Sequence, residues 1–493
     1  MQSDLPIIIQ GGMGIGVSSW LLARTVAQRG QLGVVSGTCI DSVFVRRLQD
    51  GDVGGHLRRV LEDFPLPEVS LDALKRYFLP EGRPEGEAYK LLPMWQQHVT
   101  RARAQLAMLA SFVEVRLAKE GHNGVVGMNL LTKVQMPNLA TLYGAMLAGV
   151  DYVLMGAGIP KEIPGVLDAF AAGMKAKLRL DVEGLERGAT EELTLDPAEH
   201  FEGRAPLLQR PSFLPIVAAH SLATMLARKS NGRVDGFVVE APIAGGHNAP
   251  PRGQLEVDAA GEPVYGARDV VNLEEMRALE RPFWLAGGTG TPEAVAEARA
   301  AGAAGVQVGT IFAFSNESGL DPELKRKTIA RIRVGEVTIK TDLRASPTGF
   351  PFKVVNLEGT NSGDAEYEAR VRKCDLGYLR NAYRRPDGRI GYRCAAEPLK
   401  DWANKGGEAA ETEGRKCLCN GLMANIGLPQ ERANGAERAL LTSGNDLTPV
   451  LHLAGSGDGY SADQVLDYLL SENVATAKEE SCKRKLETSL SQV

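Results

Sequence analysis

Residues 283–310 read FWLAGGTGTPEAVAEARAAGAAGVQVGT. Two short apolar runs, Phe283–Ala286 and Gly305–Val308, each end in glycine: Gly287-Gly288 follows the first and Gly309-Thr310 the second. Between them, Pro292–Ala301 is alanine-rich with a proline at a first helical position, which predicts a helix. The segment is one strand–turn–helix–strand unit, and the rhythm continues upstream. Strands are expected at Pro6–Gln10, Leu32–Ser36, Val125–Leu131, Tyr152–Met155, Pro215–Ala219 and Gly236–Glu240, with helices such as Trp20–Arg29, Leu139–Ala148 and Leu222–Arg228 between them. Alternation of this kind implies a parallel sheet with crossover helices. Eight such strands predict an α/β fold, a (β/α)8 TIM barrel.

The barrel is expected over residues 1–335, with insertions at 61–97, 177–210 and 248–267. The first is rich in Pro, Glu and Leu and reads as a helical excursion. The second holds Leu178–Val182 and Glu192–Leu195, which resemble a hairpin. The third carries Pro250-Pro251 and follows a strand end, where barrel enzymes place lids and substrate loops. After about Ile332 the alternation stops. Thr338–Val355 looks extended, and 336–472 reads as an irregular C-terminal module with scattered helices. Residues 473–493 read as a flexible tail.

The 493 residues are 44% hydrophobic, 24% charged and 6% aromatic, with a formal net charge of -5, which gives room for a large core. Acids and bases are mixed and no long basic run occurs, so nucleic acid is not an expected partner. No apolar run is long enough to span a membrane. No basic stretch followed by an apolar one opens the chain. A cytoplasmic protein that binds small molecules is the expectation.

The glycine turns carry the first functional signal. A third stands at Gln10-Gly11-Gly12-Met13. Glycine lets backbone approach a ligand closely, and free N–H groups beside a helix start make an anion site. In many barrel enzymes the phosphate site lies after strands seven and eight. Gly287 and Gly309 are 22 positions apart (309 − 287), one strand–helix unit, so both turns can hold one phosphate. Any one such turn also serves simply to close a tight connection. A Rossmann reading is weak, because Ser36-Gly37-Thr38 stands where that fold needs an acidic residue.

These motifs, in this order, resemble the nitronate monooxygenase (2-nitropropane dioxygenase-like) family and the related flavin-dependent enoyl reductases. Pro6–Met13 resembles the opening motif. Val126-Gly-Met-Asn129 resembles the third-strand motif, whose Asn contacts the flavin. Glu240-Ala-Pro-Ile-Ala-Gly245-Gly246-His247 resembles the Gly-Gly-His motif, and Ala345-Ser346-Pro-Thr-Gly349 a later Ser-x-x-Gly segment. The resemblance covers about residues 5–355. It implies a barrel that binds FMN through Gly11, Gly12, Met13, Asn129, Gly245, Gly246, Gly287, Gly288, Gly309 and Thr310. The chain departs from the family at Asn248–Gly253, in its larger insertions and in its C-terminal module, which leaves the substrate open.

His247, at a strand end in a glycine turn, is the expected catalytic residue. Histidine ordinarily titrates near neutrality and can exchange a proton with an activated carbon; a structural imidazole bonded to backbone is the alternative. The resemblance implies either oxidation of a small nitroalkane or nitronate with flavin and oxygen, or reduction of an acyl-carrier thioester by NAD(P)H in a fatty-acid or polyketide assembly line. A catalytically silent scaffold is the third possibility. His220 is the next histidine placed near a strand end.

Four of the six cysteines, Cys374, Cys394, Cys417 and Cys419, fall within 46 residues (374 to 419). Such clustering points to a metal centre, either an iron–sulfur cluster or Zn. Four unrelated thiols are the alternative, since the spacing matches no strong template. Cys39 reads as a buried inert thiol.

Overall fold

The computed structural model describes residues 5–471, so the expected tail at 473–493 lies outside the described residues. Eight strands form one parallel sheet: β1 (Ile8–Gln10), β2 (Gly33–Ser36), β3 (Val126–Leu131), β4 (Tyr152–Gly156), β5 (Ser212–Val217), β6 (Phe237–Glu240), β7 (Phe283–Ala286) and β8 (Gly305–Val308). Their order is β1-β8-β7-β6-β5-β4-β3-β2. The ends of this row meet: Gln10 N–H donates to Leu32 O at 2.9 Å, and Leu32 N–H to Ile8 O at 3.1 Å. Parallel neighbours require a crossover between strands, and helices supply it. The result is the expected (β/α)8 barrel. β5 begins three residues before its expected start. Pro215 sits inside it, opposite Met155 of β4, and its missing N–H is tolerated because pairing with β6 begins only at Ile216.

Ile9, Val34, Leu154, Leu214, Val238 and Trp284 pack as one cluster and fill the barrel interior as inward-facing layers do. Trp284 is fully buried, and its indole N–H donates to Pro6 O at 2.8 Å. This plug leaves the C-terminal ends of the strands as the open face.

The first insertion forms a helix at Pro67–Tyr77. The helix Arg101–Ala118 that follows it is buried on almost every side. The second insertion contains the expected hairpin, Ala176–Leu180 against Glu191–Leu195, and adds Val182–Glu183, which pairs in parallel with Asn381–Arg384. Residues 336–471 pack onto the barrel through the same continuous core, with Phe352, Tyr378, Leu418, Met423 and Leu440 buried in it. A buried polar knot reinforces the contact. Asp41 accepts from Trp95 Nε1 at 3.0 Å and from Tyr378, and pairs with Arg103 at 2.6 Å. Burial pushes the Asp41 carboxyl up, but the Arg103 charge and these hydrogen bonds outweigh it and hold the group below the usual carboxylate range. Among the described residues no helix is long and apolar enough to cross a membrane.

Candidate active site

The C-terminal strand ends surround a cavity of about 240 Å³. Every flavin-site residue singled out in the sequence lies on its wall. Gly11, Gly12 and Met13 come from the turn after β1, Asn129 from β3, and Gly245, Gly246 and His247 from the loop after β6. Gly287 and Gly288 follow β7, and Gly309 and Thr310 follow β8.

Two of these positions explain their glycines. A Cβ on Gly12 would fall 2.0 Å from the Cβ of Asn129, so the first turn can lie against β3 only without a side chain. Gly288 has φ +72°, and its Cβ would meet Ile243 Cδ1 at 2.5 Å.

Asn129 donates Nδ2 to Gly12 O at 3.0 Å, and its Oδ1 is buried with no partner. Gln307 Oε1 and Ser443 Oγ, on the same wall, are buried and unpartnered as well. Buried polar atoms in folded proteins nearly always have partners, so three on one cavity call for a polar occupant.

His247 sits at the rim, its Nε2 2.7 Å from Ser346 Oγ, which in turn lies 2.8 Å from Thr348 Oγ1. Its ring stands edge-on to Phe352, with centroids 4.8 Å apart. Burial without a charged partner pushes its pKa down to about 4. This corrects the expected near-neutral titration: the imidazole is neutral at pH 7, a hydrogen-bonding group and a weak base.

Glu240, the last residue of β6, was quoted in the sequence motif without a role. Its carboxyl faces the cavity and has no hydrogen-bond or ion-pair partner among the described residues. Burial raises its pKa to about 8, so at pH 7 most of it carries a proton. Glu240 and His247 also line a second cavity of about 250 Å³, whose walls include Leu222, Pro250, Tyr265 and Phe350. The two cavities meet at these two side chains. His220 lines neither cavity and instead accepts the Asn272 N–H at 3.4 Å.

Sequence reasoning missed the contribution of the C-terminal module. Thr442, Ser443 and Gly444 complete the wall: Gly246 N–H donates to Thr442 Oγ1 at 2.9 Å, and Gly444 N–H to Thr310 Oγ1 at 3.1 Å. The signal was available, since Leu440-Leu441-Thr442-Ser443-Gly444 is another apolar run ending in glycine.

Cys374, Cys394, Cys417 and Cys419 are brought together around a third, small cavity, and all four are free thiols. Burial and the neighbouring Cys417 push Cys374 up to about 12, and burial with neighbouring thiols also raises Cys394 and Cys419. Among the described residues no three Cys, His, Asp or Glu groups converge as a single metal ion requires. The expected metal centre, whether iron–sulfur cluster or Zn, is therefore without a ligand set that meets at one point among the described residues.

The fold is a (β/α)8 barrel, and its candidate site is the cavity at the C-terminal strand ends, where enzymes of this fold carry their chemistry. Residues 207–351, from just before β5 to just past Ser346, match the family model described as nitronate monooxygenase. The matched part of the chain carries His247 and the glycine turns after β7 and β8. Among solved structures, FabK from Thermotoga maritima is similar at 16% identity, covering 98% of this chain and 97% of that one, with a TM-score of 0.45. Nitroalkane oxidase from Streptomyces ansochromogenes is similar at 14% identity, covering 96% and 97%, with a TM-score of 0.45. The enoyl reductase domain of MlnA from the macrolactin biosynthesis cluster of Bacillus amyloliquefaciens is similar at 11% identity, covering 98% and 96%, with a TM-score of 0.45. No curated protein matches the chain.

Proposed function

We propose that the chain is an FMN-dependent oxidoreductase acting on a small molecule whose reacting carbon is activated by a neighbouring electron-withdrawing group. The observation that supports this reading best is the convergence of the glycine turns on one cavity whose buried polar wall atoms have no partner. The backbone N–H groups of Gly287, Gly288, Gly309 and Thr310 would hold the phosphate, with the first amides of the Thr310–Ala313 turn lacking intrahelical partners. Asn129 Oδ1 would accept a ring N–H, and Gly11, Gly12 and Met13 would lie along the ring. When bound, FMN supplies the electron-transfer chemistry. The chain supplies binding, orientation and proton handling.

His247, neutral at pH 7, would hydrogen-bond an oxygen of the substrate, its ring oriented by Ser346 and Phe352. That role fits the nitro group of a small nitronate in an oxygen-consuming reaction. It fits equally the carbonyl of an enoyl thioester reduced with NAD(P)H. Two observations favour this second reading. Reduction of an activated alkene requires a proton at the substrate carbon, and Glu240 is the cavity carboxyl that holds one at pH 7. The second cavity also extends the site past His247, which suits a longer substrate. The deciding assay compares NAD(P)H oxidation with an enoyl thioester under anaerobic conditions against oxygen uptake with nitronates.

The pH dependence follows from the same assignment. Glu240 is raised to about 8, so its acid form is present below that pH and is lost as pH rises through it. The reductive rate should fall through about pH 8. Glu240→Gln should lower the plateau by roughly 10²-fold and remove the alkaline limb. A limb unchanged in the variant assigns the proton to another group.

A further inference from the structure

We propose that Cys374, Cys394, Cys417 and Cys419 together hold an iron–sulfur cluster, at a site that does not depend on the flavin reading. The four thiols come from separate stretches of chain. Cys394 lies just past the strand Ile390–Arg393, Cys374 in the loop after the helix Asp364–Glu368, and Cys417 and Cys419 at the start of the helix Leu418–Ala424. Only the fold brings them to one cavity.

Hydrogen-bond donors reach the sulfurs. The backbone N–H groups of Tyr378 and Leu379 bond to Cys419 sulfur, and that of Ala396 to Cys394 sulfur. Asn420 Nδ2 donates to Cys417 Sγ at 3.5 Å. N–H donors aimed at sulfur orient and tune metal-bound thiolates and set the potential of iron–sulfur centres. Arg380 acts on Cys374, Arg415 lies beside Cys394 and Arg370 beside Cys417, while the acidic neighbours of Cys374 are Glu397, paired with Lys405 at 2.6 Å, and Asp375. Asp375, also on the wall, is already paired with Arg432 at 2.5 Å and takes Asn420 Nδ2 at 2.9 Å. The Arg side chains would offset the negative charge of four thiolates.

The four thiols face one shared cavity without meeting at a single point. A cluster brings its own irons and sulfides and meets its cysteines on its outside, so the thiols need only face one shared cavity. Position agrees with a redox-active centre. The helix Leu418–Ala424 carries Cys419 on the thiol cavity and Leu422 on the main cavity. Three residues, at about 1.5 Å rise each, separate them along its axis. Zinc has no redox chemistry and gains nothing from that place.

The test uses the full-length protein purified anaerobically, assayed chemically for iron, acid-labile sulfide and zinc beside Cys394→Ser and Cys417→Ser. Iron and sulfide are expected in equal molar amounts in the wild type and are expected to be lost in either variant, with released flavin unchanged. Because either variant can misfold, metal-free wild type is also treated with ferrous iron, sulfide and a thiol reductant, then desalted. Retention of both elements supports the site. Stoichiometric zinc, or neither iron nor sulfide in both the purified and the reconstituted protein, overturns it. Flavin without iron overturns the cluster alone, whereas iron and sulfide without flavin leave the cluster standing and remove the flavin reading.

Discussion

Replacing Gly288 with aspartate should abolish retention of FMN while leaving the chain folded. Gly288 sits in the turn after β7 with φ +72°, and a Cβ there would press on Ile243 Cδ1 at 2.5 Å. The end of a flexible side chain can move aside, so the steric cost is local. The carboxylate is the larger effect, since it would place a negative charge in a cradle of N–H groups meant for a phosphate. Gly288→Ala separates the two terms, because it carries the backbone strain of positive φ without the charge. Flavin released per chain, with circular dichroism to verify folding, should fall partly in the alanine variant and completely in the aspartate variant. Full flavin content in Gly288→Asp would move the phosphate elsewhere.

His247→Ala should keep FMN and lose turnover by roughly 10²–10⁴-fold. The ring lies where the two cavities meet, and among the described residues its side chain hydrogen-bonds to Ser346 Oγ alone. Removing it takes away a group aimed at substrate without opening the phosphate turns. Because burial lowers the His247 pKa to about 4, the imidazole stays neutral as pH falls to that value. No acidic limb near the ordinary histidine pKa is therefore expected in the wild-type profile. Stopped-flow turnover across pH 5–9, set against flavin content, checks both points. A wild-type rate in His247→Ala would remove the residue from the mechanism.

The contrast between His247 and Glu240 shows what the sequence could carry. The place of His247 was legible, because Gly245-Gly246-His247 follows an apolar strand. Its protonation was not, since that depends on Phe352 and Ser346 closing over it from about a hundred residues away (352 − 247 = 105). Glu240 stood in the quoted motif, yet a carboxylate at a strand end gives no sign that it lacks a partner. The barrel itself was legible because its strands are short apolar runs punctuated by glycine. The helix Arg101–Ala118 was harder to mark: buried on almost every side, it shows no single apolar face. The pairing of Val182–Glu183 with Asn381–Arg384 joins two-residue and four-residue segments across the chain, and no local periodicity records it. The four C-terminal cysteines were legible as a cluster, while the absence of single-ion geometry was a property of the packed chain.

The central claim is that the glycine turns form an FMN site, and the direct measurement is the identity of the cofactor. Purified full-length protein, heated to release bound cofactor, should yield FMN on chromatography, approaching one per chain after reconstitution with excess FMN and desalting. Recovery of FAD, or a chain that retains no flavin after reconstitution, would contradict the account.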